Sequence, residues 1–144
     1  MSKIFIHQPD FCPWLNFFLR ANAANYYVVL DDVQFNRRGW LNKDIIKSNK
    51  GPLKITIPVK KSDRVSTFVK DIKISYDQNW TDKILRTLKM NYSKSPLFKK
   101  NIQIIEEIFD EKFEFMMDLN LKFIKYFFNI LNIKTKIIKS SELK

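Results

Sequence analysis

The sequence holds one cysteine, one histidine and two glycines in 144 residues, and each scarcity removes a class of protein. Cys12 alone cannot form a disulfide within the chain, and no charged, apolar, small-residue succession of a signal peptide opens it. A reducing cytoplasm is therefore expected. With only Gly39 and Gly51 available, there is no phosphate-binding loop and no dinucleotide fingerprint, and a Cys-x-x-Cys pair is absent too. These motifs identify no cofactor. The longest apolar stretch, Phe113 to Leu131, is interrupted by Glu114, Asp118, Asn120, Lys122, Lys125 and Asn129, so it reads as a buried helix and no membrane span is expected.

What is abundant is apolar and basic. A hydrophobic content of 45% and an aromatic content of 15% supply one packed core, the usual arrangement for a chain of this length. The net charge of +11 suits an anionic partner, and the excess lies in residues 51–100, which hold twelve basic and four acidic side chains. A Lys-rich solvated face accounts for such an excess. A nucleic-acid-binding module centred on Lys60, Lys61, Arg64, Lys70 and Lys73 is the alternative it leaves open.

Along the chain, Lys3 to His7 and Asn25 to Leu30 are β-prone and finish in polar residues, with a helical stretch between them that starts near Pro13 and stops near Asn22. A crossover of about 18 residues permits parallel strands, and such units are almost always right-handed. Both strands then end at one edge of the sheet, where open α/β sheets bind ligands, so His7 to Asp10 and Asp31 to Gln34 are expected to converge. Leu41 to Ser48 is read as a short helix. Leu53 to Val59 alternates apolar and polar residues as a half-exposed strand ending near Pro58, and Val69 to Ile74 is expected to pair with it antiparallel. Helices follow over 79–92, 98–109 and 113–131, and Ile133 to Ile138 reads as a last strand. The fold class is α/β, a small mixed sheet with an N-terminal right-handed βαβ unit and a helix-rich C-terminal half.

The segments IHQPDFCPWLNFF, VVLDDVQFNRRGWLNKD and LKMNYSKSPLF stand in an order and spacing that resemble the WbqC-like family. The shared positions are His7 to Leu15, Asp31 to Asn42 and Tyr92 to Phe98. Asn16 and Lys43 depart from the pattern, which often has Gly and Arg there. The resemblance covers about the first 100 residues, and family members usually run beyond 200, so 1–144 is read as a single WbqC-like domain, incomplete relative to the family. It implies a cytoplasmic enzyme of surface-polysaccharide (O-antigen type) biosynthesis, a transferase moving a group to a nucleotide-activated amino sugar. A non-catalytic subunit or remnant is the other reading. A chain ending soon after a strand begins is expected to self-associate as a homo-oligomer or to take a complementing second chain.

His7 is the first choice for a general base, because an imidazole moves protons near neutral pH; a lone histidine is otherwise structural. Asp10 would orient His7 or cap the following helix. Asp31 and Asp32, consecutive at a strand end, point to opposite faces, so one serves the cleft, with Asp32 taken as the catalytic member, and the pair makes a poor metal site. Arg37 and Arg38 would hold a diphosphate, Asn42 a sugar hydroxyl or carbonyl, and Trp40 would pack or stack on a ring. Gln8, Gln34, Tyr92 and Lys94 complete the substrate-binding positions that the resemblance implies. Cys12 is read as a buried small residue.

Overall fold

The computed structural model describes residues 1–60 and 67–143. Lys61 and Arg64 of the basic middle lie outside the described residues. Strand β1 (Ile4–His7) crosses through helix α1 (Leu15–Asn22) to β2 (Tyr26–Val29), and the strands run parallel with His7 opposite Val29. Strand β5 (Lys136–Lys139) joins the free side of β2, also parallel, so the order is β1-β2-β5. All three carboxyl ends therefore meet at one edge, which gathers Gln8 to Asp10, Asp31 to Asp32 and the 3-10 turn Ser140–Glu142.

A separate antiparallel hairpin, β3 (Lys43–Ser48) and β4 (Gly51–Thr56), divides the parallel and antiparallel pairing between two sheets. Here the expected short helix over Leu41 to Ser48 is corrected to strand. Ile45 and Ile46 are β-branched, and Ser48-Asn49-Lys50-Gly51 makes a tight turn in which Gly51 takes φ of 102°, so the alternation is completed by a partner strand. The pairing expected between Leu53 to Val59 and Val69 to Ile74 survives only as the bridge Val59 to Ile74. Val69–Asp71 is a 3-10 turn whose amides bond backward, Val69 N–H to the Val33 carbonyl and Lys70 N–H to the Asp31 carbonyl.

Helices α2 (Trp80–Tyr92), α3 (Phe98–Asp110) and α4 (Met116–Ile130) form the C-terminal half. Helix α4 is apolar around most of its circumference because it serves two cores, as an internal helix must. Met117, Leu121, Ile124 and Phe128 pack on Phe5, Phe17, Phe18, Tyr27 and Val29 of the parallel layer. Met116, Leu119 and Phe123 pack on Phe11, Leu41, Ile57, Trp80 and Phe109. The opposite face of the sheet leaves Ile4 and Ile6 exposed. No helix of the described residues is long and apolar enough to cross a membrane.

Candidate functional site

His7 closes β1 on the face that carries Phe5, and its ring stacks on Phe5 and meets Phe17 edge-on, with centroids 5.6 and 5.5 Å away. Its Nδ1 lies 2.8 Å from the Gln8 carbonyl oxygen. A carbonyl only accepts, so Nδ1 carries the proton and the neutral ring keeps its lone pair on Nε2. Asp10 Oδ2 stands 3.8 Å from the same Nδ1, too far for a direct hydrogen bond. The arrangement is that of a base with its acceptor nitrogen fixed by the backbone.

Asp10 also lines a cleft of about 320 Å³ with Cys12, Trp14, Trp40, Asp44 and Ile45. Burial raises the Asp10 carboxyl above its ordinary range; His7 pulls it down and Asp44 pushes it up further. Burial raises Asp44 as well, against a bond from the Ile45 amide that lowers it. Both indoles stand open, Trp14 at 67% and Trp40 at 49% exposure. Burial drives the Cys12 thiol far up, with Asp44 adding to the shift, which leaves it no thiolate character.

The loop that presents Asp10 is held in an uncommon shape, since Cys12 takes φ of 45°, a left-handed conformation that non-glycine residues adopt only when their surroundings enforce it. Phe11 N–H donates to the Trp40 carbonyl at 3.1 Å. Asn120, fully buried in the middle of α4, donates through Nδ2 to the Pro9 and Leu41 carbonyls, both at 2.7 Å. One amide thus ties the His7 to Pro13 loop to the Trp40 to Asn42 loop, and both walls of the cleft to the helix. Among the described residues its buried Oδ1 has no partner. Sequence reasoning treated Asn120 only as an interruption of an apolar run. The available signal was a neutral amide at a position flanked on all helical sides by Met116, Met117, Leu121, Phe123 and Ile124.

The two adjacent aspartates bond to the segment that follows β5. Asp31 is buried, and its carboxylate accepts from Ser140 Oγ at 3.0 Å, Ser141 N–H at 2.9 Å and Ser141 Oγ at 2.6 Å. Ser140 Oγ also makes a short hydrogen bond with exposed Asp32. Asp31 therefore fastens the segment after β5 to the end of β2. Burial raises its carboxyl, but the bonds from Ser141 and Ser140 outweigh this and hold it below its ordinary value of 3.8. A depressed carboxyl contributes stability that is present above the unfolded-state value and lost as pH falls through the folded one. Unfolding midpoints in urea are thus expected to drop as pH is taken below about 3.8, and Asp31→Asn is expected to flatten that drop. An unchanged acid profile in the variant would show the clamp to be without weight.

Asn36 builds the turn that presents the arginines, its Oδ1 accepting from Arg38 N–H at 2.9 Å and its carbonyl from Gly39 N–H at 2.9 Å. Arg37 and Arg38 are exposed. Asn42 is committed to the fold, donating from Nδ2 to the Ile57 carbonyl at 2.9 Å and accepting Ile57 N–H at its own carbonyl. Gln34 is exposed beside a bridge to Phe68, and half-buried Gln8 gives its carbonyl to His7 and to the Tyr27 hydroxyl. Tyr92 and Lys94 lie apart from the His7 cleft: the Tyr92 hydroxyl accepts Lys47 N–H at the far end of β3, and the ring lines an apolar cleft with Leu88, Phe98 and Ile102. Of the basic middle, Lys60 is exposed and Lys70 half-buried, while Lys73 is taken by Glu114 at 2.6 Å.

The structure thus groups His7, Asp10 and Trp40 and adds Trp14 and Asp44, which sequence reasoning did not select. Among the described residues, no group of three or more His, Cys, Asp or Glu side chains gathers to hold a metal ion. No solved structure gives a significant match. A Mycobacterium tuberculosis protein named "Uncharacterized protein Rv1507c" is 26% identical over 141 residues, which cover 97% of this chain and 61% of that protein. The chain therefore spans about three-fifths of the length of the curated relative it matches. Residues 8–144 match the WbqC-like protein family, and the chain belongs to that family.

Proposed function

We propose that this protein is a transferase acting on a nucleotide-activated amino sugar, within the polysaccharide biosynthesis with which the family is associated. The observation that supports it best is the cleft itself, where Asp10, with His7 beside it at 3.8 Å, shares the lining with two exposed indoles and a second carboxylate. Indole faces offer flat apolar surface to the C–H face of a sugar ring, and carboxylates of raised pKa accept or share protons with its hydroxyl and amino groups. His7 Nε2 takes the proton of the sugar's amino or hydroxyl nucleophile as that atom bonds to the group being transferred. The bond from that group to its donor carrier breaks, the carrier leaves with the electron pair and takes the proton back from His7, and Asp10 steadies the imidazolium in between.

Calorimetric titration with a panel of nucleotide sugars and a single-stranded RNA, repeated at several salt concentrations, tests this. Expected is saturable binding of an amino-sugar nucleotide, with a salt slope no steeper than its one or two phosphates dictate. Binding of RNA alone, steeply weakened by salt, would instead support the basic nucleic-acid module and end the transferase reading.

A further inference from the structure

The hairpin carries a second cleft, and its chemistry differs from that of the first. Lys43 and Thr56 are directly opposed in the antiparallel register, and Lys54, two residues before Thr56, projects from the same face. Lys43 and Lys54 are thus diagonal cross-strand neighbours, a spacing of about 7–8 Å. Arg37, from the Asn36 turn, and Asn42 complete this wall of a cleft of about 320 Å³. Among the described residues, no acidic side chain lines it. Among the described residues, none of the three cations forms an ion pair.

Like charges placed together without a counterion repel, and the fold holds them there. Lys43 Nζ donates to the Arg37 carbonyl at 3.1 Å, which ties the β3 lysine to the loop that carries Arg37. Burial lowers the Lys43 amine below its ordinary range, and the charge on Lys54 lowers it further. An anion entering the cleft offsets the repulsion between the two amines. Asp44, the next residue on β3, lines the Asp10 cleft instead, so β3 contributes an acidic side chain to one cleft and a basic one to the other.

We infer that Arg37, Lys43 and Lys54 form a binding site for the phosphates of a small diphosphate ester. This deepens the activated-sugar reading by naming where the phosphates sit, and it shifts the diphosphate contact from the Arg37 and Arg38 pair to Arg37 with the two hairpin lysines. Three cations around one cleft match the multiple negative oxygens of a diphosphate better than a single phosphate. An extended nucleic acid needs a continuing basic track, whereas the described lining of this cleft holds three cations around one cavity.

Titration calorimetry with inorganic pyrophosphate as the probe tests the site without any sugar, and a nucleoside diphosphate and a single-stranded RNA form separate arms. Saturable pyrophosphate binding is expected, weakened on the order of tenfold by Lys54→Gln, as loss of one charge-assisted contact implies. Arg38→Gln and His7→Gln are expected to leave it within about twofold, since neither side chain lines the cleft. Lys54 is exposed, and circular dichroism checks that its variant remains folded. Wild-type protein that ignores pyrophosphate, equal binding by Lys54→Gln and wild type, or binding of RNA alone each overturns the inference. Pyrophosphate binding without sugar transfer leaves the site standing and removes only the transferase reading.

Discussion

Replacing His7 by glutamine is expected to lower the rate of transfer by about 10² to 10⁴-fold, the usual contribution of a positioned general base, while leaving binding of the nucleotide sugar within about twofold. The split follows from geometry. His7 does not line the sugar cleft; it reaches the chemistry beside Asp10, with Nδ1 committed to the Gln8 carbonyl and Nε2 left as the basic atom. Glutamine has similar reach and can donate to the same carbonyl, but its amide has no basic nitrogen. A steady-state comparison of kcat with KM checks this, and Asp10→Asn is expected to lower kcat less, since Asp10 supports a charge that His7 bears. If His7→Gln turns over within about threefold of wild type, the ring is only a cap on the Phe5 and Phe17 cluster.

The frame that places His7 was legible in the sequence because it rests on local signals. Two short β-prone segments with a crossover between them dictate parallel pairing, and that alone brings the ends of β1 and β2 to one edge. The helices over 80–92, 98–110 and 116–130 are likewise written as apolar stripes. Leu41 to Ser48 was not legible, since its Ile and Lys content fits either period and pairing with Gly51–Thr56 decides it. The fate of the two aspartates was hidden for another reason: Asp31 is claimed by Ser141, 110 residues away in sequence. Trp14 reads from sequence as apolar packing surface, though it is 67% exposed. Asp44 and Lys54 escaped notice because the clefts they line are assembled from separate segments, and no spacing in the chain marks such neighbours.

Asn120 has the largest structural effect to test, because one side chain satisfies carbonyls on both loops of the site. Asn120→Ala leaves the buried Pro9 and Leu41 carbonyls without donors, at a cost of ~1–3 kcal/mol each. Removing Oδ1, which has no partner among the described residues, returns part of that. The net loss expected is about 2–4 kcal/mol, a fall in Tm on the order of 10 °C. Amide exchange should accelerate at Phe11, whose N–H crosses from one loop to the other, ahead of the sheet amides. Asn120→Asp sharpens the test. A carboxylate facing two carbonyl oxygens in a buried site is disfavoured, so its folded-state pKa lies above the unfolded one, and whatever stability the protonated acid contributes is lost as pH rises through the folded value. Asn120→Asp should therefore be the more stable of the two variants in acid and the less stable at neutral pH, with the order reversing between. Melting curves of both variants across pH decide it: parallel profiles, or a loss below about 1 kcal/mol for Asn120→Ala, would mean that the two loops hold their positions without the helix, and that the uncommon backbone at Cys12 is enforced from elsewhere.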